Sequence, residues 1–76
     1  MESVALAFLS AGIGAAGAVI GVGMGIGKLA AAAMEGIARQ PEASGDIRGA
    51  MILTAALIEG VGVIALIVCL LLTFKA

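Results

Sequence analysis

Two long apolar segments joined by a short polar one make up this sequence. The first runs from Val4 to Gly27 without a charge, and the second runs from Ala50 to Phe74 with a single one, Glu59. As a helix, the first segment would be about 36 Å long, enough to cross a hydrocarbon core of about 30 Å. We therefore expect an all-α membrane protein, a hairpin of two transmembrane helices.

The polar segment from Arg39 to Asp46 marks the turn between these helices. Pro41 disfavours a helical conformation at Gln40, and the Ser, Gly and Asp residues at positions 44–46 are typical of turns. The predicted bounds are a first helix over about residues 3–38, a polar loop over 39–46 and a second helix over 47–75, within a single unit of residues 1–76.

Composition indicates that the hairpin lies in lipid. Of the 76 residues, 63% are hydrophobic and 12% are charged, and a soluble chain this short could not bury so much apolar surface. The net charge of −1 comes without a basic patch, so we expect no nucleic-acid partner. There is no His and only one Cys, Cys69, which we interpret as a small apolar residue. The sequence therefore predicts no catalytic site, no metal site and no cofactor.

Positive charges predict the orientation of the hairpin. Lys28, Arg39 and Arg48 lie towards the loop, and Lys75 lies at the other end. The positive-inside rule then places the loop in the cytoplasm, or its organellar equivalent, and both termini across the membrane. We expect this membrane to be a bacterial inner membrane. No basic residue precedes the first apolar segment, which is longer than the core of a signal peptide, so we expect Met1 to begin the working protein.

Small residues form two stripes on the first helix when residues are placed about 100° apart. One stripe consists of Ser3, Ala7, Ser10, Gly14, Gly17, Gly21 and Gly25, and the other, roughly opposite, consists of Ala5, Gly12, Ala16, Gly23 and Gly27. Small residues let membrane helices approach closely, so two stripes predict a neighbour on each side and a closed oligomeric ring. The alternative is that the glycines serve packing or kinks within one hairpin.

The carboxylate of Glu59 is the candidate functional group. Glu59 lies 18 residues after Pro41 and Gly23 lies 18 residues before it, so we expect the two at the same depth. None of the neighbours of Glu59 at helical spacing carries a side-chain oxygen. A lone ionisable group at this depth is costly and indicates a role in ion or proton transfer. A sodium ion would need several oxygen ligands, so we predict reversible proton binding at Glu59. The alternative is a carboxyl that only fixes helix packing through a hydrogen bond.

Three features together resemble the c subunit of the F-type ATP synthase, the proteolipid of the membrane rotor. They are the glycine-rich first helix, the loop Ala38-Arg39-Gln40-Pro41-Glu42 and the single acidic residue Glu59 of the second helix. The resemblance extends over essentially the whole chain. It implies a ring with the first helices inside and the second helices outside, embedded in membrane lipid.

The resemblance also implies roles for particular residues. Glu59 would carry protons between two half-channels of subunit a, and Arg39, Gln40 and Pro41 would meet the central stalk. Rotation would then drive the catalytic head, and the ring itself would make no ATP. Members of this family that carry sodium have oxygen ligands at positions that here look like Ile26, Gly60 and Ile64, which agrees with proton transport.

Two other classes of protein are the alternatives to a rotor ring. A small multidrug-type antiporter would need aromatic side chains to hold organic cations, and this chain has no Trp or Tyr. A holin-like or purely structural oligomer would have no need of Glu59.

Overall fold

The structure, a computed structural model that describes residues 2–76, is a hairpin of two long helices. Helix α1 spans Glu2–Arg39 and helix α2 spans Ser44–Lys75, with a short 3-10 helix over Pro41–Ala43 between them. The hairpin measures 60 × 15 × 7 Å, and both helices are long and apolar enough to cross a membrane. The predicted all-α hairpin is confirmed. Met1, which the predicted unit of residues 1–76 includes, lies outside the described residues.

The loop between the helices is shorter than predicted. The backbone N–H of Gln40 donates a hydrogen bond to the carbonyl of Gly36 at 2.9 Å, which closes the last turn of α1. Pro41 then begins the 3-10 helix, a position where a missing N–H costs nothing. The backbone N–H of Ser44 donates to the carbonyl of Pro41, so the 3-10 helix continues directly into α2.

The predicted loop over residues 39–46 is therefore wrong at residue 39, which ends α1, and at positions 44–46, which form the first turn of α2. The sequence signal was ambiguous because Ser, Gly and Asp are favoured both in turns and at the beginning of helices. Asp46 favours the helix, since an acidic side chain in the first turn is stabilised by the positive end of the helix dipole.

The seam between α1 and α2 combines small side chains with a few larger apolar ones. The buried residues are Ala11 and Ala33 of α1 and Gly62 of α2. The half-buried residues that recur between them at intervals of three and four include Ala15, Ala18, Val22 and Leu29 on α1 and Met51, Ala55, Ile58, Ala65 and Cys69 on α2. In lipid, such close contact between small residues is what holds two helices together.

The glycines define the register of the two helices. A Cβ atom at Gly14 would lie 2.9 Å from the Sγ atom of Cys69, one at Gly25 would lie 3.6 Å from Ile58, and one at Gly36 would lie 3.3 Å from Ile47. The residue numbers of each pair add to 83, so the register is constant along the hairpin. It places Glu59 level with Met24.

Candidate functional site

Glu59 lies in a groove of about 490 Å³ between the two helices. Val19, Gly23, Ile26 and Gly27 are among the residues that α1 contributes to this groove, and Gly62 and Leu66 come from α2 beside Glu59. Glu59 is the only ionisable residue of the groove. The depth predicted from the sequence, near Gly23, agrees with the structure, since Gly23 and Glu59 line the same groove.

Glu59 lies on the side of α2, next to the face that meets α1. Ile58 and Gly62 face α1, and Glu59 is displaced from them by about 100° and 60°, because successive residues of a helix are about 100° apart. The residue is consequently exposed in the single hairpin. A neighbouring helix placed against this side would therefore cover the carboxylate.

No side chain among residues 2–76 forms a hydrogen bond with Glu59. The side-chain hydrogen bonds in this part of the chain come from Ser10, Thr54 and Thr73, each of which donates to a carbonyl of its own helix. Thr54, the hydroxyl nearest to Glu59 along α2, donates its Oγ1 proton to Ala50 at 2.8 Å. Within the described residues, no side chain therefore partners the carboxyl group of Glu59. Its hydrogen bonds would have to go to backbone carbonyls, with the carboxyl protonated, or to a neighbouring chain.

Ile26, Gly60 and Ile64, the positions where the family resemblance implies sodium ligands in sodium-carrying members, have no side-chain oxygen. Ile26 lies in the groove and brings only methyl and methylene groups to it. Gly60 has no side chain, and Ile64 is 64% exposed. Two or more further oxygens would be needed to bind a hard cation at Glu59, and the side chains of the groove supply none.

A second groove of about 480 Å³ lies on the other side of the seam. It shares Ala18, Val22 and Gly62 with the first groove but is lined elsewhere by Gly21, Leu57 and Val61, without an ionisable residue. The hairpin therefore has two unlike flanks at the same depth. One flank carries the carboxylate and the other is wholly apolar.

The predicted packing glycines fall into two groups. Gly14 and Gly25 face α2, whereas Gly17, Gly21, Gly23 and Gly27 have no atom within 4 Å of the place where a Cβ would lie. Around the axis of α1, the seam lies about 90° from the stripe that includes Gly14 and about 115° from the stripe that includes Gly23. Packing within one hairpin thus accounts for only two of these six glycines, and it leaves both flanks of α1 open for close neighbours.

Gly36 and Gly62 also pack the seam, a role that the sequence pattern did not indicate for either residue. A Cβ atom at Gly62 would collide with Cγ2 of Val22, a closer contact than an added Cβ would make at any other glycine. The signal that could have found Gly62 is its spacing, since it lies four residues after Ile58 and three before Ala65 on the face that meets α1.

The residues predicted to meet a stalk lie at the exposed end of the hairpin. Arg39 ends α1, and its Nη2 lies 3.5 Å from Oε1 of Glu35, with both side chains more than 70% exposed. Gln40 and Pro41 follow, and both are exposed. The end of the hairpin thus presents polar groups of both signs to a partner.

Comparisons with known proteins give a consistent result. The model of a family described as the C subunit of ATP synthase matches residues 9–72. A protein of Bacteroides thetaiotaomicron named as an ATP synthase c subunit is 62% identical over 72 residues, which are 95% of this chain and 85% of that protein. One of Phocaeicola vulgatus with the same name is 67% identical over 66 residues, 87% of this chain and 79% of the relative. A chloroplastic ATP synthase c subunit of Chlamydomonas reinhardtii is 50% identical over 70 residues, 92% of this chain and 85% of the relative.

Proposed function

We propose a function for this chain on the premise that it belongs to the family of ATP synthase c subunits. It is a membrane protein and a non-catalytic subunit of the ATP synthase, a proton-translocating complex. In the proposal, its hairpins form a closed rotor ring, and reversible protonation of Glu59 couples proton flow to rotation and to ATP synthesis.

The observation that carries this proposal is the position of Glu59 in its groove. The carboxylate is the only ionisable group there, and its surroundings are apolar side chains and glycine. A protonated carboxyl carries no charge, so in that form the group can move through lipid. It can give up the proton where water or a cation is near, as intramembrane carboxylates of proton relays do.

The two unlike flanks of the hairpin support the ring. The groove with Glu59 is on one flank, the apolar groove is on the other, and each flank of α1 carries glycines without a neighbour. A surface that binds a different surface of the next copy produces a head-to-tail series, and such a series closes into a ring in the plane of a membrane. Each Glu59 would then be covered by the apolar flank of the next hairpin.

Protons are favoured over sodium because the groove lacks ligands. Ile26 lines the groove but has no amide oxygen to bind a sodium ion, and Gly60 has no hydroxyl group. A proton needs only the carboxylate and one acceptor, whereas sodium needs a shell of several oxygens.

The partners follow from the same premise. Subunit a would supply the half-channels that load and unload Glu59, and the stalk would bind the loop end at Arg39, Gln40 and Pro41. The positive charges beside the loop favour a cytoplasmic position for that end, and we expect the ring to lie in a bacterial inner membrane. The bacterial relatives support this placement.

The test is Glu59→Gln in a strain that produces no other copy of this protein. The variant keeps the shape of the side chain but loses the titrating group, so we expect a ring of unchanged size in detergent extracts and loss of ATP-driven proton pumping in inverted membrane vesicles. Glu2→Gln, which changes an exposed carboxylate at the far end of α1, is the matched control and retains pumping. Pumping by the Glu59→Gln variant would refute the proposed role.

A further inference from the structure

Arg48 is an exposed cation without a carboxylate partner in the hairpin. Among residues 2–76, the ion pair joins Arg39 to Glu35, and Arg48 takes no part in it. Arg48 lies two residues before Ala50, where the apolar band of α2 begins and from which it runs to Phe74. A guanidinium is permanently charged and offers several N–H donors. It can therefore bind a carboxylate that comes from outside the hairpin.

The register of the two helices puts Glu35 level with Arg48. The residue numbers of level positions add to 83 along the seam, and 35 and 48 satisfy this sum. The ion pair with Arg39 uses one oxygen of Glu35, Oε1, at 3.5 Å. The second oxygen of the carboxylate remains available for another donor. Two opposite charges thus lie at one depth of the hairpin.

These two charges lie on opposite flanks. Arg48 precedes Glu59 by 11 residues, which places the two within about 20° of each other on α2. Glu35 follows Gly21 by 14 residues, which places those two within about 40° on α1, and Gly21 lines the apolar groove of the other flank. The body of the hairpin therefore separates Arg48 from the Glu35 of its own copy.

We propose that Arg48 of each copy binds Glu35 of the next copy, so that a belt of ion pairs stabilises the ring on its loop side. The inference rests on the proposed ring, in which the flank with Glu59 meets the apolar flank of the next hairpin. Copies related by rotation about the membrane normal hold equivalent residues at one depth. Groups that are level on opposite flanks of one copy therefore come face to face between two copies.

The other carboxylates near this depth are less well placed. Asp46 is about 3 Å from the depth of Arg48, but it lies about 140° around α2 from the seam and so faces away from α1. Glu42 belongs to the 3-10 helix, about 9 Å nearer the loop end. Glu35 is the carboxylate that combines the required depth with the required flank.

The position beside the apolar band favours the pair. Both charges lie about 3 Å beyond the level of Ala50, and a neighbouring hairpin would remove part of their water. The attraction of opposite charges increases as the effective dielectric falls. An exposed pair typically changes an association constant by a factor of about two to five, and here the pair is repeated at every interface of the ring.

The experiment reverses the two charges separately and then produces both variants in one cell. The readout is the fraction of chain that migrates as a closed oligomer on native gels of detergent extracts. Arg48→Glu brings two carboxylates together at each interface, and Glu35→Arg brings two guanidinium groups together. We expect each variant alone to lower the ring yield at least about fivefold, because attraction is replaced by repulsion at every interface.

Producing the two variants together tests whether the pair joins different copies. When the two chains alternate, every interface again has opposite charges, so we expect a yield within about twofold of wild type. Native mass spectrometry should find both chains in the rings in about equal amounts. The matched control is Asp46→Arg, a reversal at nearly the same depth, which should not restore rings when produced with Arg48→Glu.

Contrary results separate the inference from the proposed function. A wild-type yield from either single variant, a mixture that stays defective, or restoration by Asp46→Arg refutes the pair of Arg48 with Glu35. If a reversed chain does not insert, Arg48→Gln and Glu35→Gln replace it: their losses should be similar and not additive, and additive losses refute the pair. A wild-type chain that forms no closed oligomer refutes the proposed function instead.

Discussion

A methyl group added at Gly62 should push the two helices apart where Gly62 meets Val22. The new Cβ would collide with Cγ2 of Val22, and a β-branched side chain in a helix has one strongly preferred rotamer, so Val22 has little freedom to move aside. Overpacking of this kind costs about 1–3 kcal/mol, whereas Gly→Ala within a helix gains up to about 1 kcal/mol. Gly62→Ala should therefore be neutral to destabilising by about 2 kcal/mol.

Gly60→Ala is the matched control, because it makes the same change two residues away at a position with open space around it. The gain in helix propensity is common to both variants, so the difference between them isolates the collision and should be about 1–3 kcal/mol. The measurement is the SDS-induced unfolding of the full chain in mixed micelles, followed by circular dichroism. Adding Val22→Ala to the Gly62→Ala variant should recover most of the loss, since the two residues are in contact. Equal stability of the two glycine variants would show that Val22 leaves room for a methyl group at Gly62.

Three further results are expected. Gly23→Leu should reduce the yield of closed rings in detergent at least several-fold, because it fills an open flank of α1. Gly60→Leu, at a position of α2 with open space around it, should not. Equal yields would contradict the assignment of the flanks. Labelling of Glu59 by a carbodiimide should be unaffected by millimolar sodium at constant pH, and protection by sodium would refute proton selectivity. Arg39→Ala should change stability by less than about 1 kcal/mol, since its partner Glu35 is exposed, yet should weaken the binding of the stalk, measured by co-purification.

The hairpin itself could be predicted from the sequence because lipid restricts the backbone so strongly. Two apolar segments of membrane length leave helices as the available structure, whatever the glycine content. The depth of Glu59 relative to α1 followed from counting residues back to Pro41, since two helices joined by a tight turn rise by the same amount per residue. These predictions needed no detail of side-chain packing.

The packing of the seam could not be predicted in the same way. Gly62 and Val22 meet because of the rotation of each helix about its own axis, and the sequence offers small residues on several faces of α1 at once. The two stripes indicated neighbours without showing which of these surfaces α2 would take. In the structure α2 packs on a face of mainly Ala and Val beside one stripe, and only Gly14 and Gly25 of that stripe reach it.

The continuity of helix through the loop end has a mechanical consequence. Helix α1 persists to Arg39 and α2 begins at Ser44, while the apolar band of α2 begins only at Ala50, so about 9 Å of paired helix projects beyond this band. Helical segments are stiff compared with irregular chain. Torque generated at Glu59 would reach the bound stalk with little twist in this connection. The elastic compliance of such a motor would then lie in the stalk, not in the rotor ring.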